Sequence, residues 1–184
     1  MLELSDLKPG DILVQCKGEP WRTGAHIFTG HPYPHSMLVT YNGYDGVYII
    51  EDGPFGIQEV EFGREWDNWS VFPLDHYEVW RPSEEKGCTK EIKQNAIEWA
   101  RKRKGEGYGY LKLITILALY RLNGPGSFPG WDDDSKFDNR RKICSELIAM
   151  AYYRSGYDVV PYITDSNTMP WDLRNPKTCD FIGL

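Results

Sequence analysis

Residues 35–52 read HSMLVTYNGYDGVYIIED, and this stretch decides the fold. Two runs rich in β-branched and aromatic residues, 35–41 and 46–52, flank the pentapeptide NGYDG, which is typical of a β-hairpin. They are therefore predicted to be two antiparallel strands. The segments around them extend the same pattern in both directions.

Three further strands are predicted in the first half of the chain. DILVQ (11–15) follows a Pro-Gly turn, and IQEVEF (57–62) and YEVWR (77–81) alternate apolar and polar residues. With the hairpin, they indicate an antiparallel meander.

Helical periodicity replaces this alternation in the second half. Thr89 is a suitable cap for a helix that stops at Gly105 and carries Ile92, Ala96, Trp99 and Ala100 on one face. A second, apolar helix is expected at 111–122 and a third at 143–155, whereas an acidic loop is expected at 123–139 and an extended tail at 169–176. Strands followed by helices predict a single α+β domain spanning residues 1–184.

Composition limits the classes of function. The 184 residues are 41% apolar and 14% aromatic, which is enough for one folded core. A net charge of −6 and an isoelectric point near 5.2 give no general attraction to nucleic acid, so a nucleic-acid partner is not expected.

A cytoplasmic location is the simplest expectation. The N-terminus lacks the pattern of a secretory signal, and the apolar run 111–122 is shorter than the roughly 20 residues that span a bilayer. The four cysteines, at 16, 88, 144 and 179, include no CxxC pair and are too few to staple a chain of this length.

Cys144, in the segment KICSELI (142–148), is the candidate nucleophile. It lies near the predicted start of a helix, where unpaired amides and the helix dipole favour an anion, and Arg140, Arg141 and Lys142 precede it. Both effects lower the pKa of a thiol. The same amides are suited to bind the oxyanion that forms when a thiolate attacks a carbonyl.

His35 is the candidate base because it opens an apolar strand, and Glu51, near the end of the next strand, is the candidate residue to orient it. A three-residue hairpin loop (42–44) would place them directly opposite, and a five-residue loop (42–46) would make them diagonal neighbours. A two-residue turn at 42–43 or 45–46 would put them on opposite faces, and would favour Asp52 or a backbone group in place of Glu51.

Four segments in this order resemble a known family: LKPGDILVQ (7–15), HSMLVT (35–40), GVYIIED (46–52) and CSELIAMAYYRSG (144–156). They are similar to the circularly permuted branch of the NlpC-type papain-like cysteine hydrolases, of the YiiX-like kind, in which the histidine strand precedes the cysteine helix. Lecithin retinol acyltransferase-like proteins have a related arrangement. The resemblance covers about residues 6 to 173.

The resemblance implies a papain-like, partly closed antiparallel sheet packed against helices, with Cys144 as nucleophile, His35 as base and Glu51 as third polar residue. It implies a hydrolase or acyltransferase that works through a thioacyl-enzyme, without a cofactor. Its substrates would be peptide bonds of cell-wall type, or lipid or thioester acyl groups. The acidic loop at 123–139 is longer than expected for the family, which leaves the substrate class open.

Other interpretations of these residues are simpler. Cys16, Cys88 and Cys179 are expected to be structural thiols, and Cys144 could also be a buried small side chain in a binding module that keeps the fold without turnover. His26, His31 and His35 lack the spacing of a metal site, so no metal is expected. DDDSKFDN (132–139) has Phe137 where a calcium loop requires glycine.

Overall fold

The computed structural model describes residues 2–17, 35–53, 56–63, 73–109, 142–163 and 168–184. Several predicted features lie outside these residues: the helix at 111–122, the acidic loop at 123–139, and His26, His31, Arg140 and Arg141.

The described strands are β1 (Ile12–Gln15), β2 (Ser36–Gly43), β3 (Gly46–Gly53), β4 (Gly56–Glu61), β5 (Tyr77–Pro82) and β6 (Cys179–Gly183). They form one sheet in the order β4-β3-β2-β1-β5-β6, and all neighbours are antiparallel. The first five agree with the predicted strands, whereas β6 was not anticipated. Among the described strands, no pairing joins the edge strands β4 and β6.

Two helices are described, α1 (Lys90–Arg101) and α2 (Cys144–Arg154). The predicted cap of α1 is confirmed, since the Thr89 hydroxyl accepts a hydrogen bond from the amide of Ile92 at 3.2 Å. The tail predicted to be extended instead contains a short 3-10 helix at Pro170–Leu173, which the Asp172 carboxylate closes by accepting from the amide of Met169 at 2.8 Å. No helix in the described part of the chain is long and apolar enough to cross a membrane.

Both faces of the sheet are buried. One face carries Ile12, Leu38 and Ile50 and packs with apolar residues of α1 and α2; we call it the helix face. The other, the far face, carries Leu13, Met37, Val39, Ile49 and Val79 and packs against Leu7, Phe62 and Tyr77. The α+β class predicted from the sequence is confirmed, with α2 lying across the strands of the central hairpin.

Candidate active site

Cys144 is the first residue of α2, as the sequence predicts, and it is buried with 3% of its surface exposed. Glu146 closes the first turn, because its carboxylate accepts a hydrogen bond from the amide of Ile143 at 3.3 Å. The chain reaches the helix through Lys142, whose carbonyl accepts from the amide of Gly109 at 2.9 Å. The sulfur therefore lies where a helix N-terminus favours negative charge.

His35 lies immediately before β2, where its carbonyl accepts from the amide of Gln15 at 3.0 Å. Its Nε2 is 3.0 Å from Oε2 of Glu51, and Oε1 of Glu51 accepts from Nε2 of Gln58 at 3.2 Å. The side chains of His35 and Glu51 are 21% and 18% exposed. Both carboxylate oxygens therefore have partners, and Glu51 holds the ring in one orientation.

The hairpin turn differs from every loop anticipated from the sequence. Gly43 pairs with Gly46, so the turn consists of Tyr44 and Asp45 alone. With an unbroken ladder, a two-residue turn at this position would put residues 35 and 51 on opposite faces of the sheet.

A β-bulge at Thr40 reverses that outcome. Thr40 is an extra residue in β2, because Val39 pairs with Ile49 whereas Tyr41 pairs with Tyr48. The bulge shifts the register by one residue for the remainder of the hairpin. Residues 35 and 51 thereby become diagonal neighbours, which is the relation expected for a five-residue loop.

Charges within the site reinforce one another. Burial lowers the pKa of His35, but the charges of Cys144 and Glu51 and hydrogen bonds to both outweigh it and raise that pKa to about 10. Burial raises the pKa of the Cys144 thiol, yet the charge of His35, its hydrogen bond and a hydrogen bond from the backbone amide of Ser36 hold that pKa below its usual value. Burial by itself raises the pKa of Glu51. The hydrogen bond and charge of His35, and then the hydrogen bond from Gln58, outweigh burial, so the pKa of Glu51 lies below its usual value. Each shift stabilises the charged form of its group, the thiolate of Cys144, the imidazolium of His35 and the carboxylate of Glu51.

Two further polar residues lie next to the candidate triad: Ser36, which the sequence does not single out, and Asp52, which it offers only as an alternative to Glu51. Ser36 and Asp52 share the helix face with Leu38 and Ile50, since side chains alternate along a strand. Both are fully buried, and the Ser36 hydroxyl and both Asp52 oxygens lack a hydrogen-bond partner among the described residues. Strand alternation alone could have placed them toward the cysteine helix.

The remaining described cysteines are not activated. Burial first, and then the negative charge of Glu78, raises the pKa of Cys16. Burial raises the pKa of Cys88 to about 11 and that of Cys179 to about 12. Within the described ranges, no group of three His, Cys, Asp or Glu side chains is arranged to hold a metal ion.

Comparison with known proteins finds a similar fold among solved structures. No protein-family model matches the chain, and no curated protein matches it. Among solved structures, the chain is similar to the crystal structure of the metalloprotein yiiX from Escherichia coli O157:H7. The two are 19% identical, the match covers 83% of this chain and 68% of that chain, and the TM-score is 0.48.

Proposed function

We propose that the protein is a cysteine hydrolase in which Cys144 is the nucleophile, His35 the general base and acid, and Glu51 the residue that orients His35. The observation that supports this most strongly is the chain of interactions from sulfur to imidazole to carboxylate. Cys144 raises the pKa of His35 and His35 lowers that of Cys144, while Nε2 of His35 lies 3.0 Å from Oε2 of Glu51. A nucleophile, a base and an orienting group in that order are what thiol catalysis requires.

The proposed reaction gives each of these residues one role. The Cys144 thiolate attacks a carbonyl carbon, a C–S bond forms, and the carbonyl electrons move to oxygen, where amides at the start of α2 stabilise the charge. The bond between the carbonyl carbon and the leaving group then breaks, and His35 gives its proton to the leaving group. The product of this step is a thioacyl-enzyme. Water then attacks the thioester, His35 takes its proton, and release of the acid restores the thiolate–imidazolium pair.

The substrate class belongs to the same proposal. The histidine strand precedes the cysteine helix, which supports a place in the permuted NlpC-type papain-like branch with its partly closed sheet. We infer that the substrates are amides of small peptides, of the kind found in cell walls. A panel of such peptides, tested beside lipid esters and thioesters, separates an amidase from an acyl hydrolase or acyltransferase.

Alkylation by iodoacetamide tests the activation of Cys144. At about pH 6.5 the wild type is expected to react at least tenfold faster than a small reference thiol, which is only about 1% ionised there. His35→Ala should remove this advantage, and Glu51→Gln should remove part of it. Cys144→Ser gives the background from Cys16, and His76→Ala is the matched histidine control.

Two outcomes contradict the proposal. In one, wild-type Cys144 reacts no faster than the reference thiol. In the other, His35→Ala and His76→Ala react at the wild-type rate, which would mean that the imidazole of His35 does not activate the sulfur. Either result would favour the fold as a binding module.

A further inference from the structure

Asp52 is an unusual carboxyl group in this protein. It is fully buried, and neither of its oxygens has a hydrogen-bond partner among the described residues. The buried carboxylate of Asp11, in contrast, accepts from Arg81 at 2.7 and 2.8 Å and from the amide of Lys8 at 2.8 Å. A buried polar group left without partners in a folded protein calls for an explanation.

The side chain of Asp52 lies on the helix face of the sheet, the face that α2 covers. Asp52 pairs with Ile57 of β4, and Ile57 packs in the helix-face core with Leu147 and Ile148. Extending the register of β2 and β3 by two residues beyond the Leu38–Ile50 pair puts Ser36 directly opposite Asp52. Two buried, unpartnered oxygen-bearing side chains therefore lie together beneath the cysteine helix.

Four charged or titratable groups shift the pKa of Asp52 through their charges: Cys144, His35, Glu146 and Lys142. Burial and the negative charges of Cys144 and Glu146 outweigh the positive charges of His35 and Lys142, and raise the pKa of Asp52 to about 9. The neutral acid is thus the form that the site favours at pH 7. In that form the group carries one O–H donor.

Two negatively charged groups could accept from that O–H donor, Glu146 and the thiolate of Cys144. Glu146 already accepts a hydrogen bond from the amide of Ile143 at 3.3 Å. The thiolate of Cys144 carries a full negative charge in a buried position, where an oriented dipole has its largest effect.

We propose that Asp52 is a protonated carboxylic acid whose O–H dipole stabilises the thiolate of Cys144, which makes it a positioning residue for the nucleophile. The inference rests on the proposed function, because it requires a thiolate at Cys144. Ser36 contributes from the opposite strand, since its backbone amide also lowers the pKa of the thiol. An Asp52 carboxylate paired with Lys142 is the arrangement that this proposal excludes.

Alkylation of Cys144 in two variants tests the O–H dipole. Asp52→Leu keeps the branching of the side chain at Cγ but removes the donor, so the rate at about pH 6.5 should fall about tenfold, as for a rise of one pKa unit. Asp52→Asn restores an N–H donor and should recover most of that loss. Asp172→Asn, at a partly buried carboxyl whose raised pKa involves neither Cys144 nor His35, is the matched control and should react like the wild type.

Three results would overturn the proposal. Asp52→Leu could react like the wild type, both Asp52 variants could lose reactivity equally, or both could react faster at acidic pH, as expected if an Asp52 carboxylate repels the thiolate. If Cys144 of the wild type is alkylated no faster than the reference thiol, the proposed function itself is overturned. The two failures are therefore distinguishable.

Infrared spectroscopy gives a second measurement that does not depend on the folding of Asp52→Leu. The difference spectrum between the wild type and Asp52→Asn at pH 7 should contain the carbonyl stretch of a protonated carboxylic acid. That band should shift when Cys144 is alkylated, because the acceptor loses its charge. Carboxylate bands alone, or a band that does not respond to alkylation, would contradict the assignment.

Discussion

Two consecutive residues, Glu51 and Asp52, have opposite environments because side chains alternate along a strand. Glu51 contacts His35 and Gln58 and is held ionised, with a lowered pKa. Asp52 points to the other face, has no hydrogen-bond partner among the described residues, and has a raised pKa. The same chemical group therefore serves as an anion at one position and as a neutral acid at the next.

Asp52→Asn is expected to stabilise the protein by an amount that grows with pH. The pKa of Asp52 is about 9 in the folded state. An unfolded aspartate releases its proton near pH 4, so between these values the folded state holds a proton that the unfolded state has lost. The wild type therefore loses at most about 1.4 kcal/mol of unfolding free energy per pH unit as pH rises, and asparagine removes that loss.

Urea unfolding of both proteins at several pH values between about 5 and 8 measures this difference. Asp172→Asn is the control, because the pKa of Asp172 is raised only to about 6 and its effect should stop growing above that pH. A stability difference for Asp52→Asn that stays constant with pH would contradict a protonated Asp52.

At the scale of elements, the bulge in β2 aligns the candidate site. The Thr40 hydroxyl lies 2.8 Å from Oε1 of Glu59 and 3.2 Å from the carbonyl of Tyr48. Glu59 in turn accepts from Arg101 of α1 at 2.8 and 2.9 Å and from Lys104 at 3.1 Å. Contacts from a neighbouring strand and from a helix therefore stabilise the residue that sets the register of the hairpin.

Gly56→Ala is expected to disturb the pairing of β3 with β4. A Cβ on Gly56 would lie 2.2 Å from the carbonyl oxygen of Glu106, and the backbone φ is +91°. Gly87 has a φ of +101° with no atom within 4 Å of such a Cβ, so Gly87→Ala is the matched control. We expect losses of unfolding free energy of about 3 kcal/mol for Gly56→Ala and about 1 kcal/mol for Gly87→Ala. Equal losses of unfolding free energy for the two variants, measured by thermal or urea unfolding, would show that the close approach to Glu106 does not destabilise Gly56→Ala.

At the scale of the whole molecule, the segment before β1 connects the sheet to the cysteine helix. The hydroxyl of Tyr152 in α2 donates to the carbonyl of Gly10, and Arg81 of β5 binds both carboxylate oxygens of Asp11. Asn42 of β2 donates to the carbonyl of Leu7 at 2.8 Å. The position of α2 over the hairpin therefore depends on contacts between parts of the chain that are distant in sequence.

Arg81→Met is expected to destabilise the protein by about 3 kcal/mol, because it leaves the Asp11 carboxylate buried without its countercharge. Asp11 is 1% exposed, whereas the pair of Lys17 and Asp75 is 3.9 Å apart and about half exposed. Lys17→Met should therefore cost less than about 1 kcal/mol. Urea unfolding distinguishes the two, and a second substitution, Asp11→Leu, should recover much of the Arg81→Met loss. An Arg81→Met loss as small as that of Lys17→Met would contradict a buried ion pair.

Much of the fold was predictable because the signals are local. Alternating and β-branched runs identified β1 to β5, and Thr89 and Cys144 were recognised at helix starts. The strand β6 was missed because Asp180 and Gly183 dilute its apolar pattern; its pairing with β5 makes it a strand. The Pro170–Leu173 turn was missed because Asp172 closes it through a single hydrogen bond.

For the candidate site, the amino-acid sequence by itself determined the chemical groups and the order in which they occur: a histidine before one strand, a glutamate in the next, and a cysteine at the start of a helix. Only the tertiary structure decided that residues 35 and 51 meet, because the Thr40 bulge corrects a turn that would otherwise separate them. It also decided that Asp52 favours its proton, because burial and neighbouring charges are properties of packing and not of sequence.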